Sequence, residues 1–323
     1  MTIPFPDFFL IGAPRCGTTS MASSLAHHPN ICFSKPKEPH FWTFVRRYLP
    51  EADLERDYLQ FCFGHYDPER HRVLGEGSVS YLYDREAIEE ILRHNPSAKF
   101  LVMVRNPIDL VHSYHSRLVT LLDEDVEDFE EAWRLQEIRA RGERIPRLCR
   151  DPFLLQYREI GRLGKYLKRL LEVVSREQTL VIVFDDFARH NRAAYLKVLQ
   201  FLEVPDDGRI EFRRLEANKY PRFKWLQALL KRPPKQEASF LRTLEVQKRR
   251  KKKSLLKRLR KKLLKWNAVY RPRPPLSPEM RQELAETFRE DVELLSELLG
   301  RDLTHWLKSD AGSRRALDRA RAA

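Results

Sequence analysis

Residues 8–20 read FFLIGAPRCGTTS, a compact apolar run that leads into a loop containing two glycines. An apolar run that ends in Gly-Ala-Pro is typical of a buried β-strand passing into a turn. The following residues 18–28, TTSMASSLAHH, space their apolar side chains as one face of a helix does. This stretch therefore predicts a strand, a loop and a helix, the first unit of an α/β fold.

Two more apolar runs predict buried strands further along the chain. They are KFLVMV at 99–104 and TLVIVF at 179–184, followed by helical patterns at 107–118 and 193–202. Strands that alternate with helices favour a central parallel sheet covered on both faces. We therefore expect a three-layer, P-loop-like α/β fold, with further helices at 85–93, 127–141 and 159–174.

The C-terminal part predicts a helical extension. Ser277 suits an N-cap, Pro278 the first helical position and Gly300 the end of the helix. The apolar residues between them recur every three or four positions: Met280, Leu284, Phe288, Val292, Leu295 and Leu299. The expected organisation is one domain over 1–310, with 231–270 as a basic amphipathic insertion or lid and 311–323 as a flexible tail.

The net charge of +14 comes from one segment. Residues 231–265 hold 16 Lys and Arg against two acids, which leaves 44 basic and 44 acidic residues elsewhere. A uniformly basic nucleic-acid-binding coat is excluded. Within 248–265, leucines 255, 256, 259, 263 and 264 gather on one helical face among cations. Basic amphipathic helices suit anionic membranes, acidic partners or nucleic acid.

The cysteines and the N-terminus indicate a reducing compartment. Cys16, Cys32, Cys62 and Cys149 form no C-x-x-C pair, as is typical of reduced thiols. The first residues have no basic leader, and no apolar run approaches the ~20 residues of a membrane span. The expected location is the cytoplasm, with peripheral membrane contact through 248–265.

The loop GAPRCGTTS has the G-x-x-x-x-G spacing of a P-loop between Gly12 and Gly17. Such a turn directs backbone N–H groups and a helix N-terminus at a phosphate. Thr18 occupies the position where a nucleotide triphosphatase needs lysine, and the cation lies inside the loop as Arg15. The pattern predicts a phosphate site without ATP chemistry; the alternative is a tight turn with an incidental arginine.

A second anion site is predicted after the 99–104 strand. Asn106 suits an N-cap, and Pro107 suits the first residue of a helix that begins beside Arg105. Arg105, the helix N-terminus and the Ser113 hydroxyl could converge on one anion at the carboxyl end of the strand. The alternative is an exposed arginine and an ordinary surface serine.

The segment KPKEPHFW, residues 35–42, predicts a general base. In an extended segment Glu38 and His40 project the same way, and Lys35 and Lys37 would keep the carboxylate ionised. The alternative is a proline-bounded loop anchored by its aromatic residues.

Together, APRCGTTS, KEPHFW and RNPIDLVHS resemble motifs of the PAPS-dependent sulfotransferases, in their soluble bacterial-type branch (PAPS is 3′-phosphoadenosine 5′-phosphosulfate). The resemblance spans nearly the whole chain, with least support between 221 and 270. It continues through GEGSVSYLY (75–83), LVIVFDDF (180–187), RPPLSPEMRQEL (273–284) and GRDLTHWL (300–307).

The resemblance implies a function and a set of site residues. The reaction would be transfer of a sulfuryl group from PAPS to a hydroxyl or amine of a glycan, lipid or small molecule, leaving PAP and using no metal (EC 2.8.2 type). Glu38 would be the base with His40 beside it, and Arg105 and Ser113 would hold the 3′-phosphate. The 5′-phosphosulfate would be wrapped by Arg15, Cys16, Gly17, Thr18, Thr19 and Ser20, with Arg15 also stabilising charge in the transfer.

Two positions depart from the family pattern. Arg15 stands where the family commonly has lysine, which keeps the charge but changes its reach and donor geometry. Gly77 stands where related glycan sulfotransferases often have the lysine of E-K-[ST]-P-x-Y. We therefore expect an assisting cation to be missing there.

Other chemistry is less favoured by the sequence. Cys16 beside Arg15 at a helix N-terminus predicts a lowered thiol pKa, but a loop-filling residue is the plainer interpretation. His112 and His115 share a helix face without a third metal ligand. Asp185 and Asp186 suit caps of the next helix better than paired catalytic carboxylates.

Two alternative functions are a P-loop kinase using ATP and Mg²⁺, and a membrane- or nucleic-acid-binding module acting through 231–265. The missing lysine after Gly17 disfavours the first, and the neutral body disfavours the second.

Overall fold

A five-stranded, all-parallel β-sheet forms the centre of the computed structural model, which describes residues 2–212, 219–231, 254–270 and 272–308. The strands are β1 (Phe8–Leu10), β2 (Ile31–Phe33), β3 (Val73–Glu76), β4 (Lys99–Val104) and β5 (Thr179–Val183). Their order across the sheet is β2-β3-β1-β4-β5. The register pairs Phe9 of β1 with Glu76 of β3 and with Phe100 of β4.

Helices flank the sheet and cover its strands. The described α-helices are α1 (Thr18–Leu25), α2 (Arg46–Tyr48), α3 (Gln60–Phe63), α4 (Arg85–His94), α5 (Pro107–Leu121), α6 (Phe129–Arg134), α7 (Gln136–Ala140), α8 (Tyr157–Gly161), α9 (Leu163–Leu171), α10 (Phe184–Arg189), α11 (Asn191–Phe201), α12 (Lys224–Lys231), α13 (Ser254–Trp266) and α14 (Pro278–Leu299). Short π-helical turns span Phe41–Val45 and Leu54–Leu59, and 3₁₀ turns span Val79–Tyr83, Pro152–Leu155 and Thr304–Leu307.

The central strands are buried on both faces. Every residue of β1 and of 100–104 in β4 is inaccessible to solvent, so successive side chains pack against helices on opposite sides of the sheet. This confirms the predicted α/β fold with a central parallel sheet, flanking helices and a helical C-terminal region. It also explains why these strands appear in the sequence as unbroken apolar runs.

Two strands, β2 and β3, were not predicted. Each has three or four residues, too few for a periodicity to emerge. Gly75 in β3 is required by packing, because a Cβ there would lie 2.0 Å from the Phe8 ring. The predicted helices at 127–141 and 159–174 each divide into two, with breaks at Leu135 and Arg162.

The long helix α14 begins and ends as predicted. Ser277 Oγ accepts a hydrogen bond from the Met280 amide at 3.1 Å, Pro278 is the first helical residue, and Gly300 ends the helix at φ +59°. Met280, Leu284, Phe288, Val292 and Leu295 are buried, whereas Leu299 is half-buried. The helix packs along α9, where the Asp291 carboxylate accepts from the amides of Gly164 and Lys165.

A small antiparallel pair precedes α14. Strand β6 (Lys219–Pro221) pairs with β7 (Ala268–Tyr270), and α12 packs against α13. The predicted insertion at 231–270 falls partly in this region, and its residues 232–253 lie outside the described residues. The predicted tail at 311–323 also lies outside them. Among the helices that the structure describes, none is both long and apolar enough to cross a membrane.

Candidate active site

The site lies at β1, where the chain stops adding strands on one side of the sheet and begins to add them on the other. From β1 the chain crosses to β2 and β3 on one side, whereas β4 and β5 lie on the other. Open α/β sheets bind ligands in the crevice at the carboxyl ends of such neighbouring strands. The loop after β1 and Arg105 after β4 meet here, because Arg105 Nη1 donates to the Arg15 carbonyl oxygen at 3.2 Å. The two predicted anion-binding motifs are therefore adjacent.

The loop between β1 and α1 turns sharply to present the helix N-terminus. Arg15 and Gly17 have positive φ values of +65° and +87°, and Gly17 is the N-cap. No side chain caps α1, and only the Ser20 amide of its first turn donates to a backbone oxygen, that of Gly17 at 3.0 Å, so the amides of Thr18 and Thr19 are left for an anion. This conformation fits the phosphate-binding turn expected at Gly17, Thr18, Thr19 and Ser20.

Arg15 is fixed by the helix that follows β4. Its Nε donates to the buried Ser113 Oγ at 2.9 Å, so the two residues expected at different ends of the nucleotide are in direct contact. Arg105 is positioned separately: its guanidinium lies 4.6 Å over the Phe184 ring and 3.5 Å from Asp109. The two arginines, which follow the neighbouring strands β1 and β4, are thus adjacent and held by different contacts.

Two further arginines were missed by the sequence reasoning. Arg273 lies in the loop before α14, and its Nη1 is buried without a hydrogen-bond partner among the described residues. Arg117 follows Ser113 by one helical turn on α5, a spacing that could have identified it. Arg273 begins the stretch RPPLSPEMRQEL that carries part of the family resemblance, but nothing in that stretch indicates that its guanidinium lies near the loop at Gly17, far away along the chain.

The arginines repel one another. Burial, followed by the nearby guanidinium groups of Arg117, Arg273 and Arg105, lowers the pKa of Arg15 to about 10. Burial followed by the charge of Arg105 also lowers the pKa of Arg273. Concentrated positive charge of this kind is stabilised by a bound polyanion. We refer to Arg15, Arg105, Arg117 and Arg273 as the arginine cluster.

Glu38 and His40 lie side by side next to this cluster. Lys37 Nζ forms a short ion pair with Glu38 Oε1, and His40 Nε2 is 3.8 Å from Glu38 Oε2. The predicted juxtaposition is present, but the expected extended segment is wrong. Glu38 and His40 have φ values of +60° and +52°, and a π-helical turn starts at Phe41. Strained backbone and π-helical turns often occur at functional sites.

The surroundings keep Glu38 ionised and His40 neutral. Burial raises the pKa of Glu38, whereas the charge of Lys37 and its hydrogen bond, together with the charge of Arg117, lower it, and the net pKa is below the usual value. Burial lowers the pKa of His40 to about 4 despite the opposing charge of Glu38. His40 Nδ1 is 2.7 Å from Ser80 Oγ, which fixes the ring. The pair can therefore offer a carboxylate base beside a neutral imidazole.

Lys37 also changes the expectation for Gly77. A Cβ built on Gly77 would lie 3.7 Å from Lys37 Cγ, so the Lys37 side chain passes beside the position where the family often has lysine. Its ammonium group reaches Glu38. A cation is therefore present next to the carboxylate, supplied by a different residue.

A buried carboxylate supports the segment that carries Glu38. Glu76, at the end of β3, accepts hydrogen bonds from the hydroxyls of Tyr58 at 2.6 Å and Tyr81 at 3.1 Å. The Tyr81 hydroxyl in turn accepts from the Trp42 amide at 3.3 Å. Burial raises the pKa of Glu76 to about 7. This network ties the carboxyl end of β3 to the backbone of Trp42, just after His40.

Cys16 is a packing residue. Its side chain is completely buried and donates to the Pro14 carbonyl oxygen at 3.6 Å. Burial raises the pKa of the thiol to about 12, so the predicted lowering by Arg15 and the helix N-terminus is wrong. All four cysteines are free thiols. Any contribution of Cys16 to ligand binding comes from its backbone amide.

The remaining candidates have structural contacts. Asp185 accepts from Trp306 Nε1 at 2.8 Å and Asp186 pairs with Arg301, so they join α10 to the C-terminal segment and do not cap a helix. His115 Nε2 is 2.9 Å from the Val126 carbonyl oxygen, and the His112 ring lies 5.3 Å from that of Phe129. Among the described residues, no cluster of potential metal ligands includes these histidines.

Comparisons with known proteins agree with this geometry. A family model described as "Sulfotransferase domain" matches residues 5–296. A crystal structure of a sulfotransferase from Alicyclobacillus acidocaldarius is similar, with 27% identity and a TM-score of 0.64, covering 94% of this chain and 99% of that one.

Two curated relatives differ in their named acceptors. Carbohydrate sulfotransferase 15 of Rattus norvegicus is 29% identical over 248 residues, which cover 62% of this chain and 44% of the relative. A protein-tyrosine sulfotransferase of Drosophila melanogaster is 24% identical over 220 residues, covering 62% and 38%. The chain thus spans less than half the length of these relatives.

Proposed function

The chain belongs to the sulfotransferase family, and from this premise we propose that it transfers a sulfuryl group from PAPS to an acceptor hydroxyl or amine, with Glu38 as the general base. One observation carries the proposal: the arginine cluster converges at the sheet crevice beside an ionised carboxylate. Arg117 lies near both the other arginines and the carboxylate, because its charge lowers the pKa of Arg15 and that of Glu38.

The residues present fit a nucleotide with two anionic ends. Arg15 and the amides of 17–19 would hold the 5′-phosphosulfate at the start of α1. Arg105 and Arg273 would hold the 3′-phosphate, and the unpartnered Nη1 of Arg273 offers a free donor for it. Ser113 would fix Arg15 between the two ends. When bound, PAPS supplies a sulfuryl group attached to a phosphate that leaves readily.

The chain's own contribution to catalysis is proton transfer and charge stabilisation. Glu38 would accept the proton that the acceptor hydroxyl or amine loses. In the overall reaction the acceptor gains the sulfuryl group, the bond from sulfur to the 5′-phosphate oxygen breaks, and PAP leaves. Arg15 and the loop amides would stabilise negative charge at the leaving phosphate. Lys37 and neutral His40 would hold the Glu38 carboxylate in place.

The charges around the base favour an acceptor that carries acidic groups. Arg117 and Arg150 are both exposed and both act electrostatically near the Glu38–His40 pair. Arg150 is held by the buried Asp123 at 2.6 Å. Glycans, lipids and small molecules with a carboxylate, sulfate or phosphate near the accepting group are the first candidates.

Transfer of label from ³⁵S-PAPS to a panel of glycans, lipids, phenols and tyrosine peptides tests the activity. We expect labelled product with at least one acceptor, together with release of PAP, and preference for acidic acceptors over neutral analogues. The kinase alternative predicts instead that ³²P from the γ-phosphate of Mg-ATP is transferred. Transfer from Mg-ATP without transfer from PAPS would overturn the proposed reaction.

Arg105→Ala and Arg273→Ala should each weaken PAP binding by about 10- to 100-fold, the usual effect of losing a charged hydrogen bond to phosphate. Stabilisation of the protein by PAP, read from the shift in thermal midpoint, measures this loss. Arg93→Ala, an exposed arginine on α4, is the matched control. PAP affinity that is unchanged in both cluster variants would remove these residues from the 3′-phosphate site.

A further inference from the structure

Large apolar side chains are exposed together on the unit formed by residues 219–231 and 254–270, which holds β6, α12, α13 and β7 and is called the α12–α13 unit below. Five of the large apolar residues exposed in the described part of the chain lie there: Phe223 (40% exposed), Trp225 (67%), Leu229 (54%), Leu259 (55%) and Trp266 (54%). We call these five residues the aromatic face. A concentration of exposed apolar surface on one small unit marks an interaction site more often than scattered residues do.

The aromatic face is continuous. The Phe223 ring stacks on Trp266 with centroids 6.0 Å apart and lies 6.4 Å from the Trp225 ring. Trp225 and Leu229 are four residues apart on α12, and Leu259 and Trp266 are seven apart on α13, so each pair shares a helix face. The three aromatic rings therefore form a joint surface across the two packed helices, and Leu229 and Leu259 share the helix faces of Trp225 and Trp266.

Positive charge surrounds this surface. Residues 219–231 contain four Lys and Arg, residues 254–270 contain six, and neither stretch contains Asp or Glu. The Arg222 guanidinium lies 5.3 Å over the Trp266 ring. On α13, Arg260, Lys261, Lys262 and Lys265 are exposed.

The unit is held firmly on the body of the protein. Asn267 is buried and exchanges hydrogen bonds with the Phe223 backbone at 2.8 and 3.0 Å. Gln227 Nε2 donates to the Thr120 carbonyl oxygen of α5 at 2.9 Å, and the Tyr220 hydroxyl bonds Ser116 Oγ at 3.3 Å. The exposure of the aromatic face is therefore a property of a docked unit with satisfied buried polar groups.

We propose that the aromatic face and its surrounding cations bind the surface of an anionic lipid bilayer. Indole rings favour the boundary between headgroups and acyl chains, and leucine side chains gain free energy by entering it. Lysine and arginine are attracted to anionic headgroups. An acidic polysaccharide would satisfy the cations and could stack on the indoles, but it would leave Leu229 and Leu259 in water. The combination therefore favours a bilayer.

Vesicle flotation and tryptophan fluorescence test the proposal with the full chain, independently of catalysis. Vesicles of phosphatidylcholine with phosphatidylserine should carry the protein, and vesicles of phosphatidylcholine alone should carry much less. Trp42, Trp133 and Trp306 are buried, so a shift of emission to shorter wavelength and quenching by brominated lipid report on Trp225 and Trp266.

Two double variants separate the apolar and the charged contributions. Lys261→Glu with Lys262→Glu should weaken partitioning onto anionic vesicles at least about tenfold, and Trp225→Ser with Trp266→Ser should also weaken it and abolish the emission shift. Leu196→Ser with Lys197→Glu, exposed on α11, is the matched control and should bind normally. An unchanged thermal midpoint in each variant shows that folding is preserved.

Three results would overturn the proposal. They are equal binding to neutral and anionic vesicles, equal binding by all variants, and no vesicle binding alongside tight binding to soluble chondroitin sulfate. The last result would assign the face to acidic polysaccharide.

Discussion

Glu38→Gln is expected to lower the rate of sulfuryl transfer by about 10²- to 10⁴-fold while leaving PAP affinity nearly unchanged. The amide keeps the size of the carboxylate but cannot accept the acceptor's proton. Initial rates with the best acceptor from the panel, and PAP titration of the same variant, measure the two quantities. A comparable loss of PAP affinity would show that Glu38 has a structural role in the nucleotide site.

A change at Lys37 tests the same role through pH. The charge of Lys37 is the largest influence lowering the Glu38 pKa, so Lys37→Met should raise that pKa. A base works when ionised, and activity is lost as pH falls through its pKa. The acidic limb of the pH–rate profile should therefore move to higher pH in Lys37→Met. An acidic limb that stays in place would separate the rate from the ionisation of Glu38.

Arg15→Ala is expected to cause the second large loss, about 10²- to 10³-fold in turnover, as removal of a donor to developing negative charge usually does. PAP affinity should fall as well, because the same guanidinium faces the phosphate end of the crevice. Single-turnover rates at saturating PAPS separate the two effects. Arg15→Lys should recover part of the rate, since it keeps the charge while losing the Nε donor to Ser113.

The matched control for Arg15 is Ser113→Ala. This variant removes the partner of Arg15 Nε but keeps the guanidinium, so a smaller loss is expected than for Arg15→Ala. Losses in the reverse order would show that the hydroxyl, and not the cation, is the main contributor.

The parts of the fold that the sequence predicted are those encoded by continuous local patterns. β4 spans Lys99–Val104 as expected, because five successive residues are buried on both sheet faces. The caps of α14 at Ser277 and Gly300 were also predictable, because they depend on residue types at the ends of the helix. β2 and β3 could not be predicted, because strands this short are defined by pairing with β1 and with each other.

The candidate site was predictable where one short motif contains both the charged side chain and the turn or helix start that positions it. The loop of Arg15 and Gly17 and the helix start after Arg105 are of this kind. Arg273 and the side-chain path of Lys37 were not, because they depend on which distant segments fold against the crevice. The contact of Arg15 with Ser113 likewise joins residues 98 positions apart.

The basic segment 231–265 also has features that the sequence predicted and one that it did not. Its charge was evident in the sequence, and a helix is present at α13 within it. The expected arrangement, with leucines gathered on one apolar face, does not predict that Leu259 is exposed on the same helix as the exposed Trp266. That exposure depends on how the unit docks on α5 through Gln227.

Calorimetric titration of the protein with PAP in the absence of divalent metal tests the central claim most directly. The arginine cluster predicts saturable PAP binding, and binding of adenosine 5′-phosphate, which lacks the 3′-phosphate, should be at least about tenfold weaker. Arg105→Ala should remove most of this difference. Failure to bind PAP, with saturable binding of Mg-ATP, would contradict the account.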